Sequence, residues 1–103
     1  LTVLESKLSS NAASASSSVA VLQQNDPNPF NVSTTIKYAL SASVNTACIK
    51  FYSTTGSEVK TISLDKNSTS VVIEANSFTP GIYVYVLIAN GKTIDSKQMV
   101  ITR

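Results

Sequence analysis

Hydrophobic and polar residues alternate along most of the chain after residue 30. Between residues 35 and 40, single residues separate the apolar Ile36, Tyr38 and Leu40, and Ile49 and Phe51 repeat this pattern between residues 47 and 52. A period of two places alternate side chains on opposite faces of an extended chain. These segments are therefore predicted to be β-strands with one buried face.

Shorter apolar segments predict further strands. Residues 19–23 and 71–74 are strand-like. The segment with Val59, Ile62 and Leu64 has an imperfect alternation, which indicates a β-bulge or an early end of the strand. Polar turns separate the segments, and Gly56 and Gly81 lie in a turn or at the start of a strand.

The last predicted element is a β-hairpin. Residues 81–89 and 92–101 are strand-like, and Asn90 and Gly91 between them accept the positive φ angles of a type I′ turn. Such a turn fixes the register of the strands. The predicted pairs on the core face are Leu87 with Ile94, Tyr85 with Ser96 and Tyr83 with Gln98. The other face is predicted to carry Ile82, Val84, Val86 and Ile88, here called the aliphatic stripe, opposite Met99, Lys97, Asp95 and Thr93.

Short strands joined by polar turns, without a helix of usable length, predict an all-β fold. We expect an immunoglobulin-like β-sandwich of six to seven antiparallel strands with a C-terminal β-hairpin. A small open barrel is the alternative. A chain of 103 residues is long enough for one small domain and a tail.

The first twenty residues differ from the rest in composition. Leu1, Leu4 and Leu8 have helical spacing, and residues 9–18 contain only Ser, Ala and one Asn. We predict residues 1–20 to be a flexible linker, whose leucines could belong to the last turns of an upstream helix. Residues 21–103 are predicted to form the folded domain.

Two prolines stand near the start of this domain, in the sequence NDPNPF. Proline restricts its own φ and favours extended geometry in the residue before it, so Pro27 and Pro29 are expected to hold a stiff, extended lead-in. Since proline cannot donate a ladder hydrogen bond, the segment is expected at a sheet edge or where the chain enters a sheet. Phe30 is expected to anchor it in the core.

The composition argues against several kinds of catalytic or binding site. The sequence contains no histidine, which removes Ser-His-Asp and Cys-His catalysis and ordinary zinc sites. The six carboxylates lack the spacing of a calcium loop, and the single cysteine, Cys48, cannot form an internal disulfide. A Ser-Lys dyad or a pair of carboxylates brought together by folding stays open. We nevertheless expect no enzymatic activity and no cofactor.

Charge and hydropathy argue against some classes of binding partner. Eight basic and six acidic residues give a formal net charge of +2 without a run of like charge, whereas nucleic-acid binding needs a basic stripe. No apolar run approaches the ~20 residues that cross a bilayer as a helix. We expect a monomeric domain that binds neither nucleic acid nor a small molecule. If the parent protein is exported, its signal peptide is expected upstream of Leu1.

Three features exceed what a β-sandwich requires, and each has two interpretations. The proline segment is either a plain lead-in or a recognition element. The aliphatic stripe is either covered, by the second sheet or the linker, or exposed as a docking surface. The C-terminal strand, with Lys92, Lys97 and Arg103, is either an edge strand guarded by lysine or a strand that extends a partner's sheet.

Three stretches, in order, resemble one family. They are NDPNPFNVSTTIKYAL, IKFYSTTGSEVKTI and TPGIYVYVLIANGKTIDSKQMVI, and they are similar to the C-terminal sorting domain, type A, of the type IX secretion system. The resemblance covers residues 21–103 and implies a non-catalytic, immunoglobulin-like domain of a Bacteroidota cargo protein. Such a domain directs its cargo from the periplasm across the outer membrane, to be secreted or held at the cell surface.

The resemblance also implies partners and processing. The partners are an outer-membrane shuttle barrel protein, the translocon and a sortase-like cysteine protease, which removes the domain as the cargo is attached to anionic lipopolysaccharide or released. We expect the cut between Ser9 and Leu22. The alternative function is a surface adhesion or ligand-binding β-sandwich module.

The residues that match the family's motifs are the candidate recognition residues. They are Pro27, Asn28, Pro29, Phe30, Gly56, Gly81, Tyr83, Tyr85, Gly91, Lys92, Lys97, Met99 and Val100, with the aliphatic stripe as the candidate docking surface. Ser41 and Ser53 depart from the proline and aspartate that the family commonly has at these positions.

Overall fold

A computed structural model describes residues 19–102 of the chain. Of the linker predicted over residues 1–20, residues 1–18 with the three leucines lie outside the described residues, as does Arg103. The strands are β1 (Ala20–Leu22), β2 (Ser33–Leu40), β3 (Ala47–Ser53), β4 (Glu58–Ser63), β5 (Ser70–Glu74), β6 (Gly81–Ala89) and β7 (Lys92–Ile101), with a 3₁₀ helix at Ala75–Ser77.

The strands form two antiparallel sheets. The smaller sheet has three strands in the order β1-β2-β5, and the larger has four in the order β4-β3-β6-β7. Buried residues of both sheets belong to one core cluster. These features confirm the predicted all-β sandwich of seven strands, including the β-hairpin.

The core includes the apolar residues whose alternation predicted the strands, together with residues of the connecting segments. Ile36 of the smaller sheet and Ile49, Phe51 and Leu87 of the larger are fully buried. Each contributes roughly 1.5–3 kcal/mol to folding through the apolar surface that it removes from water. The ring of Phe78 packs edge-on against Phe51, with 5.4 Å between the ring centroids.

The irregular alternation of the third apolar segment has a structural cause. Tyr52 of β3 pairs with Glu58 of β4, whereas its neighbour Phe51 pairs with Lys60. Val59 is therefore an extra residue in β4, and its side chain is 48% exposed. Of the two alternatives that the sequence left open, a β-bulge and an early end of the strand, the bulge is confirmed.

The β6–β7 turn is as predicted, but most of the register is not. Asn90 and Gly91 have φ angles of 52° and 78°, as a type I′ turn requires. Ile88 pairs with Thr93 as predicted, but Leu87 pairs with Asp95, so Ile94 is an extra residue in β7.

The extra residue makes the predicted pairs beyond it wrong by one position. Tyr85 lies opposite Lys97 and Tyr83 opposite Met99. A shift of one residue exchanges the faces of a strand, so Met99 and Ile101, both almost fully buried, point into the core. The shift thus gives the core two apolar side chains that the predicted register had placed elsewhere.

Asn90 fixes the turn to the loop between β2 and β3. Its side-chain oxygen accepts hydrogen bonds from the backbone N–H groups of Asn45 at 2.7 Å and Thr46 at 3.3 Å. Its side-chain nitrogen donates to the Ser43 carbonyl at 3.2 Å. The asparagine therefore holds a neighbouring loop in addition to forming the turn.

Candidate functional site

The proline loop, residues 25–30, connects the two sheets. It follows β1, forms a bridge from Asp26 to Thr35 of β2, and ends where Phe30 forms a bridge to Ile101 of β7. Residues 27–29 are bends, and the peptide bonds before Pro27 and Pro29 are both cis. The predicted extended lead-in is wrong, because the loop bends to reach β7 of the larger sheet on its way from β1 to β2, both of which belong to the smaller sheet. The predicted position at a sheet edge is confirmed.

The loop forms hydrogen bonds with β7, the edge strand of the larger sheet. The Phe30 N–H donates to the Val100 carbonyl at 3.1 Å, and the Thr102 N–H donates to the Phe30 carbonyl at 2.9 Å. The side-chain oxygen of Asn28 accepts from the Val100 N–H at 2.9 Å, and its nitrogen lies 3.5 Å from the Gln98 carbonyl. The strand edge that the sequence offered for strand addition is therefore occupied between Gln98 and Thr102.

A buried polar cluster holds the proline loop on the core. The Tyr85 hydroxyl accepts from the Asn25 N–H at 2.7 Å and donates to the Gln23 carbonyl at 2.8 Å. The Asn25 side chain donates to the Pro27 carbonyl and to the Thr34 hydroxyl, both at 3.1 Å. Asn25 and Thr34 are only 2% and 1% exposed, so these bonds satisfy groups that water does not reach.

The environment of Tyr85 keeps its hydroxyl neutral. The pKa of Tyr85 is raised to about 12, chiefly by burial; the hydrogen bond from Asn25 lowers it, and the negative charge of Asp95 contributes a smaller increase. At neutral pH the phenol therefore keeps the proton that it donates to the Gln23 carbonyl.

The aliphatic stripe lies on the outer face of the larger sheet. Ile82 and Val84 are 44% and 38% exposed, and Val86 and Ile88 are half-buried. Coverage by the second sheet is excluded, because that sheet packs on the opposite face, where Tyr83 and Tyr85 are buried as predicted. The alternative of coverage by the linker concerns residues outside those described.

Polar residues border the stripe. Tyr52 and Lys50 of β3 pair with Val84 and Val86, and Gln98 of β7 lies on the other side of Val84. This border supplies hydroxyl, amine and amide groups beside an apolar centre.

The charge at this border is balanced within the domain. The Lys50 Nζ lies 3.4 Å from a carboxylate oxygen of Glu58. The pKa of Glu58 is lowered, first by the hydrogen bond that the Thr61 hydroxyl donates at 2.6 Å and then by the charge of Lys50. Lys50 therefore adds little net charge to the surface around the stripe.

The other candidate recognition residues divide among turns, surface and core. Gly56, Gly81 and Gly91 have positive φ angles of 88°, 149° and 78°. Lys92 is exposed, Val100 is half-buried, and Lys97 is half-buried with its Nζ 3.7 Å from Asp95. Tyr83, Tyr85 and Met99 belong to the core. The structure joins residues 27–30 to Val100, whereas Gly91 and Lys92 lie at the other end of the hairpin.

A comparison with protein families finds one whose sequence profile matches residues 27–102, described as the secretion system C-terminal sorting domain. The match spans β2 to β7 and most of the proline loop. The chain belongs to this type IX secretion family. Membership confirms the resemblance drawn from the three sequence stretches.

A comparison with solved structures finds a match of low sequence identity. One similar solved structure is the Pseudomonas fluorescens alkylpurine DNA glycosylase AlkC bound to DNA containing an abasic site analog, with a TM-score of 0.43 and 13% sequence identity. The match covers 84% of this chain and 31% of that one, so the sorting domain spans about a third of the enzyme's length. No curated protein matches the chain.

Family membership establishes the function in outline. The sorting domain is a signal of the type IX secretion system, interacts with its machinery, and marks a secreted or cell-surface protein. The family is non-catalytic in general. Residues 19–102 contain no group of three or more His, Cys, Asp or Glu side chains placed to hold a metal ion. Within the same range, no helix has the length and apolar character to cross a membrane.

Sequence reasoning missed the residues that hold the proline loop of the sorting domain in place. The sequence indicates no individual role for Asn25 and Thr34, and it predicts Tyr85 as a core-facing residue and a candidate recognition residue without a role for its hydroxyl. Their partners lie up to 62 residues away in the chain. A buried tyrosine needs a partner for its hydroxyl, and this requirement was the one available signal.

Proposed function

We propose that the type IX secretion machinery recognises this sorting domain through the aliphatic stripe on β6. The family match over residues 27–102 carries the assignment to the system. The exposure of Ile82 and Val84, at 44% and 38%, supports the choice of surface. An exposed apolar patch with a polar border is typical of a docking site, and Tyr52 and Gln98 provide groups that can orient a partner.

The proposed partners are those implied by the family. The translocon passes the cargo across the outer membrane, and the shuttle barrel protein binds the folded domain and carries it to the sortase-like cysteine protease. The protease removes the domain, and the cargo is attached to anionic lipopolysaccharide or released. The domain thus acts as an address that the mature cargo no longer carries.

The proposed cut lies ahead of Ala20. Ala20 and Leu22 are buried, and β1 pairs along its whole length with β2. A protease needs an extended, unpaired chain, so the strand supports restricting the sequence-based range to residues 9–19. The Ser- and Ala-rich composition of that range suits a site without bulky side chains.

The test fuses the full chain to an exported fluorescent protein in a cell that has a type IX system. Val84→Lys places a charge in the stripe, and Val72→Lys is the matched control because Val72 is 56% exposed on a strand of the other sheet. Substitutions at such surface positions typically change stability by less than about 0.5 kcal/mol. We expect Val84→Lys to reduce surface fluorescence about tenfold, equivalent to about 1.4 kcal/mol of lost binding, and Val72→Lys to match the parent.

Two outcomes would contradict the proposal at different levels. If Val84→Lys is exported as well as Val72→Lys and the parent, the stripe is not the docking surface. Retention of the unchanged fusion in the periplasm would show that the domain is not a sufficient address. Deleting residues 97–103 is a weaker test, because it removes Met99 and Ile101 from the core, and a loss of export would then report unfolding.

A further inference from the structure

We propose that the proline loop caps a strand-pairing edge, and that the partner which fits the uncapped edge is a second copy of this chain. β7 has ten residues and lies at one edge of the larger sheet. An uncovered edge strand presents a row of backbone N–H and C=O groups that another strand can pair with. The inference goes beyond the sorting function and does not depend on it.

The loop bonds to the backbone groups that such a partner would use. In an antiparallel pair the hydrogen-bonding direction alternates along the strand, so Gln98, Val100 and Thr102 direct their backbone groups away from β6. Asn28 and Phe30 bond to Val100 and Thr102 as described, and the Gln24 side chain donates to the Gln98 carbonyl at 2.7 Å. This stretch of the edge is occupied from the Gln98 carbonyl to the Thr102 N–H.

The residues of the loop also prevent another strand from pairing with it, so the sheet does not extend further. The side-chain amide of Asn28 has the same donor and acceptor as a peptide group, and it serves the Val100 N–H as a neighbouring strand would. Pro27 and Pro29 on either side have no N–H to offer outward, so the loop is a poor template for a further strand. Phe30 is only 3% exposed, and its burial in the core anchors the loop.

The covered edge is suited to pairing with itself. The stretch from Gln98 to Thr102 is QMVIT, which carries no charge and no proline, and segments of this kind associate readily as strands. A two-fold axis beside Val100 would place the N–H groups of one copy opposite the carbonyl groups of the other. Both copies would then use the same surface, which is an isologous contact.

The opposite edge of the same sheet is protected differently. β4 carries Glu58, Lys60 and the bulge at Val59, and charged side chains and bulges discourage strand pairing. Charges and a bulge also occur in the first part of β7, but its last stretch, from Gln98 to Thr102, has neither and depends on the cap, which is why we assign the latent contact to that stretch.

The test compares variants of the full chain in solution. Asn28→Ala/Tyr85→Phe removes the amide at Val100 and the two hydrogen bonds of the Tyr85 hydroxyl, to the Asn25 N–H and the Gln23 carbonyl. Asn31→Ala is the control because Asn31 is an exposed asparagine of the next segment. Light scattering over a range of concentrations measures mass, and hydrogen exchange follows the Val100 amide. We expect the double variant to dimerise and its monomer to exchange Val100 about tenfold faster, as the loss of one hydrogen bond allows. Asn31→Ala is expected to stay monomeric.

A further variant locates the contact. Gln98→Pro removes an outward N–H from the edge, so adding it to the double variant is expected to restore the monomer. A folded double variant that is monomeric at every concentration would overturn the proposal, as would a dimer that persists with Gln98→Pro. If circular dichroism shows the double variant to be unfolded, Asn28→Ala alone decides, because it leaves the Tyr85 cluster intact and must show the same dimerisation to a smaller extent.

Discussion

The hydroxyl oxygen of Tyr85 lies 2.7 Å from the backbone nitrogen of Asn25, which precedes it by 60 positions in the chain. The first residue belongs to the centre of the larger sheet and the second to the proline loop. Because the same hydroxyl also donates to the Gln23 carbonyl, the path of the chain between β1 and β2 is fixed from the core of the sandwich.

Removing this hydroxyl is expected to destabilise the domain. Tyr85→Phe keeps the ring but leaves the Asn25 N–H and the Gln23 carbonyl without their partner. An unsatisfied buried group costs about 1–3 kcal/mol, so we expect a loss of that size in the free energy of unfolding, measured with urea. A loss below about 0.5 kcal/mol would show that water replaces the hydroxyl.

The same residue predicts a pH dependence at alkaline pH. The pKa of Tyr85 is raised to about 12 in the folded domain, whereas tyrosine in an unfolded chain titrates near pH 10, roughly. Above that pH the unfolded state loses the proton first, so the stabilisation is complete below about pH 10 and is lost as the pH rises towards 12. Between about pH 10 and 12, the unfolding midpoint of the parent should fall more steeply than that of Tyr85→Phe. Parallel curves would show that the titration of Tyr85 does not contribute to the pH dependence.

Two substitutions separate the roles of Asn90. Asn90→Gly keeps the positive φ of the turn but loses the side-chain bonds to the loop before β3, with an expected cost of about 1 kcal/mol. Asn90→Ala loses the same bonds and must keep the left-handed backbone conformation, which alanine adopts less readily than asparagine or glycine, so we expect it to cost about 1–2 kcal/mol more than Asn90→Gly. Thermal or urea unfolding measures both, and equal losses would show that the backbone conformation of Asn90 contributes nothing.

The register of the hairpin predicts that alanine substitutions at two adjacent residues lower the free energy of unfolding by different amounts. Met99 is fully buried and Val100 is half-buried. Met99→Ala is expected to cost about 2–5 kcal/mol, as for other large-to-small changes in a core, and Val100→Ala less than about half of that. The register predicted from the turn alone places Met99 on the outer face and would reverse the order, so urea unfolding of the two variants distinguishes the registers.

The alternation of apolar and polar residues was enough to predict the strands, because a strand with one buried face needs an apolar residue at every second position. Ile36, Ile49 and Phe51 all lie in the core as the pattern predicted. The imperfect spacing around Val59 also indicated an irregularity, either a bulge or an early end of the strand, and the structure has the bulge. For the strands the deciding interaction is between a side chain and the core, and the residue type alone reports it.

The hairpin register could not be obtained in this way. The Asn90-Gly91 turn determines only the pairs next to it, and the extra residue at Ile94 resets the rest. Ile94 is apolar and fits an alternating pattern, so nothing in the local sequence marks it. What decides the register is the gain from burying Met99 and Ile101, which depends on the opposite sheet.

The proline loop was likewise beyond local reasoning. Its predicted edge position followed from the missing N–H groups of Pro27 and Pro29, but its bends and its contacts depend on Tyr85 and Val100. Whether the candidate recognition residues contact the machinery stays a prediction. The exposure of Ile82 and Val84 shows only that the stripe is accessible among the described residues.

The contact between Asn28 and Val100 spans 72 positions, and this has a consequence for when the domain becomes complete. Closing such a long loop costs entropy before the bond that it makes is gained, so contacts of this range form late and slow the folding of β-proteins. The loop therefore reaches its final position only after β7 has joined the sheet. A chain that is still being synthesised, or is still threaded through a membrane pore, presents its two prolines but not the finished edge.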